Sequence, residues 1–105
     1  MQVVNCLDYT GDKVWDALNI ANIEGASVRL HWTDKPYKLH KNDKDEVFVI
    51  LDGQITMYNK NADGIEESRL LNVGDICFLK DSVEHVAHPK DGATRILIIE
   101  RTGSI

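Results

Sequence analysis

The sequence predicts an all-β sandwich or barrel led in by a short helix, and three observations carry that prediction. Turn pairs recur along the second half of the chain, at Asp52-Gly53, Asp63-Gly64, Gly74-Asp75 and Asp91-Gly92. Their chemistry supplies the positive φ that tight turns need. Between them lie segments rich in β-formers: Glu46 to Leu51, Gln54 to Asn59, Glu67 to Asn72, Ile76 to Leu79, Val83 to Ala87 and Thr94 to Glu100. Short strands repeating at roughly 8 to 12 residues are the signature of an all-β sandwich or barrel. Upstream, Ala26 to Trp32 alternates, with Val28, Leu30 and Trp32 on one face and Ser27, Arg29 and His31 on the other.

Taken in order, residues 8–20 read as a short helix beginning near Asp12, which can cap it. Val14, Leu18 and Ala21 fall at helical spacing there. Asn22 to Gly25 is a turn, and Ala26 to Trp32 is the first strand. Thr33-Asp34-Lys35-Pro36 ends that strand, because Pro36 cannot donate to a central ladder. The punctuated strands follow, and the tail from Thr102 to Ile105 is expected to fray.

The totals exclude several function classes. A chain of 105 residues has room for one hydrophobic core, so a single domain over residues 1–105 is expected. The formal charge of −5 argues against a general nucleic-acid partner, which needs a basic face. No apolar run approaches the roughly 18 residues of a membrane span. The start Met1-Gln2-Val3-Val4-Asn5-Cys6 lacks the pattern of a signal peptide. Cys6 and Cys77 are too few for a disulfide scaffold and fit two free thiols. A cytoplasmic protein is the expectation.

Side-chain alternation then places the donors. If Glu46 points inward, so do Phe48 and Ile50, and Val47, Val49 and Leu51 form an apolar stripe outside. A second copy across a two-fold axis would cover that stripe, as would the N-terminal segment. The later segment places His85 inward with Val83 and Ala87. His40 and Asn42, two residues apart, can face one side of an extended chain. His40, Glu46 and His85 make a set of two imidazoles and one carboxylate, with Asn42 as a fourth oxygen donor. Such a set suits one divalent transition metal ion (Fe, Mn, Ni, Co or Zn) and leaves positions open for a small-molecule ligand. Read singly, each residue also has a plainer role as a surface histidine or a hairpin end.

These same residues resemble the two motifs of the cupin superfamily. The first motif is His-x-His, three or four residues, Glu, six residues, Gly; here it reads His40-x-Asn42, three residues, Glu46, six residues, Gly53. The second begins at Gly74 and reaches Lys80-x-Ser82 and then His85, with Pro89 where that motif has Asn. Lys80 and Ser82 stand where it has Pro and Gly. The likeness spans about residues 26–100 and is strongest to the small single-domain cupins. It implies a jelly-roll barrel, or double-stranded β-helix, with a metal held between the two motifs and commonly a dimer. Asn42 in the place of a histidine keeps a second reading open: a non-catalytic binding or sensor module, metal-free or with a structural metal only. If the chain is an enzyme, a metal-dependent isomerase, lyase or dioxygenase is implied.

Other residues rank behind. His88 is expected to face outward or to cap the strand. His31 shares a face with Arg29 and reaches the site only if that face lines the barrel. Lys35, Lys38, Lys41 and Lys44 alternate with Asp34, Asp43 and Asp45 and read as a solvated loop. Tyr37 and Trp32 are expected to pack in the core or at an interface.

Overall fold

The computed structural model describes residues 1–36, 44–61, 63–81 and 83–101, and the backbone of residues 40–41. Among the described residues a 3-10 turn, Cys6–Asp8, is followed by nine strands: β1 (Asp16–Ile23), β2 (Ala26–Thr33), β3 (His40–Lys41), β4 (Glu46–Asp52), β5 (Ile55–Lys60), β6 (Glu66–Leu71), β7 (Ile76–Leu79), β8 (Glu84–Pro89) and β9 (Thr94–Arg101). They form two sheets, one ordered β1-β2-β9-β4-β7 and the other β3-β8-β5-β6, with antiparallel pairing throughout. This is the jelly-roll arrangement expected from the sequence.

The N-terminal helix is not there. The only helical turn among the described residues is the 3-10 turn at Cys6–Asp8, and Asp16–Ile23 is an edge strand paired with β2. The cause is a β-bulge. Leu18 pairs with Leu30 and Ala21 with Val28, the register slipping between Asn19 and Ala21. Leu18 and Ala21, three residues apart, therefore share one face of a strand, which imitates helical spacing. Trp15, with φ of 58°, also breaks the run that a helix would need. The β1–β2 turn is the predicted one, with φ of 50° at Glu24 and 86° at Gly25, the signs of a tight hairpin turn.

Between the sheets lies the core. Phe48 and Ile50 of β4, Ile96 and Ile98 of β9, Ile55 and Met57 of β5, Leu71, Leu79 and Ala87 pack together and are buried. Register makes the assignment of faces firm, because antiparallel partners share a side. Phe48 pairs with Ile98 and Ile50 with Ile96, while Ile98 pairs with Arg29 and Ile96 with His31. The polar face of β2, with Ser27, Arg29 and His31, thus points to the interior. Val28, Leu30 and Trp32 lie outside, with Leu97, Ile99, Val47 and Val49 on the same face.

The segment before β1 straps across that outer face. Arg95 of β9 donates from Nε to Tyr9 O at 2.8 Å, from a terminal nitrogen to Thr10 Oγ1 at 3.1 Å, and to Asp52 at 2.6 Å. The 3-10 turn lies against β4, and Gly11 packs so close to Trp32 that an added Cβ would stand 3.0 Å from its ring. Val47, Val49 and Leu51 are half-buried as a result. Farther along the face, Ile76 and Phe78 of edge strand β7 stay 70% and 56% exposed.

Gly53 closes β4 against the start of β9. Its φ is 78°, and a Cβ there would fall 2.6 Å from Ala93 O and 2.9 Å from the Thr94 methyl. No side chain fits that approach.

Candidate metal centre

Glu46 opens β4 in the first sheet, and His85 sits in β8 of the second. Across the sandwich His85 Nε2 stands 3.1 Å from Glu46 Oε1. Both residues are buried, at 4% and 1% exposure, as the alternation from Glu46 and His85 predicts. The ends of the two segments are tied to each other, since Asp81 N donates to Asp45 Oδ1 at 3.0 Å. The Phe48 ring meets the imidazole edge-on at 5.7 Å.

His85 Nδ1 lies 3.2 Å from Val83 O. A carbonyl can only accept, so Nδ1 carries the hydrogen and Nε2 is turned to Glu46. Nε2 and the carboxylate oxygen then share a proton or a cation. Two donors bound at right angles to one ion at about 2.1 Å each would stand about 3.0 Å apart, so the pair fits a metal edge. The Nδ1–H donated to a carbonyl is also the support that metal-ligating histidines use.

His40 is the residue directly opposite His85 in the β3–β8 register. Its side chain, and all of Asn42, lie outside the described residues. Among the described residues no group of three or more His, Cys, Asp or Glu side chains is placed to hold a metal ion. Of the four residues named from sequence, the structure brings Glu46 and His85 into contact and sets the backbone of His40 beside the latter.

One acid at this centre is absent from the sequence-derived set. Glu100 of β9 is the register partner of Glu46, and its carboxyl is hydrogen-bonded to that of Glu46. Burial first, and then the hydrogen bond to Glu46 and its charge, push Glu100 up to about 7, against the pull of Arg29 and His85. The signal was in the strand: Thr94, Ile96, Ile98 and Glu100 share one face, so a carboxyl ends an otherwise inward row. It mirrors Glu46 at the head of Phe48 and Ile50.

His31 lines the interior too. Burial above all holds its imidazole below the usual histidine range, opposed by a hydrogen bond to the Trp15 backbone and by Glu46 and Asp16. The Trp15 ring meets it edge-on at 6.1 Å. His88 pairs with Thr56 and meets the Tyr58 ring edge-on at 4.8 Å, on the outer face of its sheet. Cys6 and Cys77 are free thiols, and burial raises that of Cys77. A cavity of 420 Å³ opens between edge strands β6 and β7, lined by Arg69, Leu71, Cys77 and Leu79 among others. Neither Glu46 nor His85 lines it.

No family model and no curated protein matches the sequence. Solved structures do match. A cupin-2 domain containing protein from Shewanella frigidimarina aligns over 94% of each chain, with 25% identity and a TM-score of 0.74. This chain folds as a small cupin. A protein from Neisseria meningitidis is similar over 96% of this chain and 100% of its own, at 20% identity and a TM-score of 0.74. The fold also resembles that of a hydroquinone 1,2-dioxygenase in complex with Fe3+, at 15% identity and a TM-score of 0.78. That likeness covers 90% of this chain but 30% of the dioxygenase. No helix among the described residues is long and apolar enough to cross a membrane.

Proposed function

We propose that this cupin holds one divalent transition metal ion between His40, Glu46 and His85, with Asn42 as a further oxygen donor, and binds or transforms a small polar or carboxylated molecule beside it. The observation that carries this reading is the 3.1 Å approach of His85 Nε2 to Glu46 Oε1, with Nδ1 committed to Val83 O. The Fe3+ of the dioxygenase neighbour supports it. A bound ion would supply Lewis acidity and open positions for an oxygen ligand. The chain's part is to fix the imidazole through Val83, to hold the Glu46 carboxylate through Glu100, and to exclude water with Phe48, Ile98 and Ile50. Metal analysis of protein purified without chelator tests the proposal; about one equivalent per chain is expected.

A second reading, a metal-free or structurally metallated binding module, is favoured by Asn42 standing where the first motif has its second histidine. Under that reading the interior still binds a small molecule, and the same metal analysis separates its metal-free form from the first reading.

The exposed Ile76 and Phe78 continue the outer face of Val47 and Val49, with which they pair in register. We propose that this face joins two copies of the chain into a homodimer. Two free thiols accord with a single-domain cytoplasmic protein.

A further inference from the structure

The inner face of β2 carries polar groups that the metal reading does not use. Arg29 pairs with Ile98 and His31 with Ile96, both core residues, so the two side chains stand on the interior side of the sheet. Residues two apart on one strand face are about 6.6 Å apart along it. Arg29 Nε and His31 Nδ1 are both buried and, among the described residues, have no hydrogen-bond partner. Such atoms are rare in a folded chain, because each loses its water without replacement.

The two groups offer different chemistry. Arg29 is a permanent cation and a fixed fork of donors, and among the described residues it is in neither of the two ion pairs. Its charge acts on Glu100 and on His31. At His31 the bond to the Trp15 backbone favours the protonated nitrogen that makes it, while burial keeps the ring neutral. The buried Nδ1 is then a lone pair, an acceptor. A donor fork for an oxyanion thus stands one step along the strand from an acceptor for a hydroxyl.

We propose that Arg29 and His31 form the ligand subsite of the barrel, and that the ligand is a small carboxylate with a hydroxyl on the neighbouring carbon. The carboxylate lies on the Arg29 guanidinium and the hydroxyl donates to His31 Nδ1. The proposal deepens the reading of the barrel as a small-molecule site and stands apart from the metal, so each can fail alone.

The test uses whole protein stripped of metal with chelator, titrated with glycolate while the Arg29 Nε–H and His31 imidazole resonances are followed by NMR. Acetate lacks the hydroxyl and glycolamide the charge. Glycolate is expected to move both resonances, acetate that of Arg29 alone, and each comparator to bind about tenfold more weakly than glycolate. Arg29→Gln is expected to lose at least about tenfold in affinity, with Arg29→Lys between it and the native chain. Unmoved Arg29 and His31 resonances at saturating glycolate would overturn the proposal, as would native affinity in Arg29→Gln. The wild-type spectra decide it even if the variants fold poorly. A parallel metal titration of the same sample keeps the metal question separate: metal uptake without a glycolate response sinks only the subsite.

Discussion

Glu46 and Glu100 face each other as register partners on β4 and β9 and share a hydrogen bond inside the barrel. One carboxyl thus braces another that also touches His85. In Glu100→Leu the brace is gone and Glu46 is left beside an apolar group. Metal affinity is expected to fall by about tenfold or more, the usual cost of losing a ligand's support. Glu100→Gln keeps a donor for Glu46 and should lose much less. Calorimetric titration with Co(II) on both variants checks this, and equal losses would mean that the charge of Glu100 matters rather than its hydrogen bond.

The same acid makes stability depend on pH. Burial and Glu46 raise Glu100 to about 7 in the folded chain, above its ordinary 4.5. Between those values the folded state holds the proton that the unfolded state releases. Its contribution is therefore complete below about 4.5 and is lost as pH rises through about 7. Thermal melts of chelator-treated protein should show a lower transition at pH 7.5 than at pH 5. The difference should shrink in Glu100→Gln, and a wild-type transition that rises over this range would contradict it.

Gly53→Ala is expected to destabilise the fold by about 2 to 3 kcal/mol. The new Cβ would meet Ala93 O at 2.6 Å in a backbone held at a φ of 78°. Denaturant unfolding measures it, with little change in slope. The control is Gly64→Ala, also at a φ of 78° but with nothing near its Cβ, which should cost less.

Phe78→Lys places a charge in the exposed apolar face of β7. Light scattering should find the wild-type chain at twice its mass and the variant at one. A monomeric wild type would remove the proposed homodimer, and the strap of residues before β1 would then be the only cover that the outer face has.

Much of this was legible in the sequence where local chemistry decides structure. The Asp-Gly pairs fixed the turns, and the punctuated strands lie within two residues of their expected ends. Glu46 and His85 were singled out by strand alternation together with the likeness to the two cupin motifs, and both side chains are buried. The helix over residues 8–20 failed because a bulge in β1 put Leu18 and Ala21 on one face, a register event that only pairing with β2 creates. The inward turn of Ser27, Arg29 and His31 was equally hidden. Alternation separates two faces, and only the partner strand β9 says which one is inside. Glu100 was missed for a related reason, since its meaning comes from lying opposite Glu46. His40 and Asn42 rest on motif spacing alone, as the side chain of one and the whole of the other fall outside the described residues.

The proposed metal edge between His85 and Glu46 underlies the metal-dependent predictions. It is tested most directly by elemental analysis of untagged wild-type protein beside His85→Ala and Glu46→Gln, all purified without chelator. The wild type should carry about one equivalent of a transition metal and either variant next to none, with circular dichroism unchanged. A wild-type chain that neither carries metal nor takes it up on soaking would contradict the claim, as would variants that keep their full equivalent.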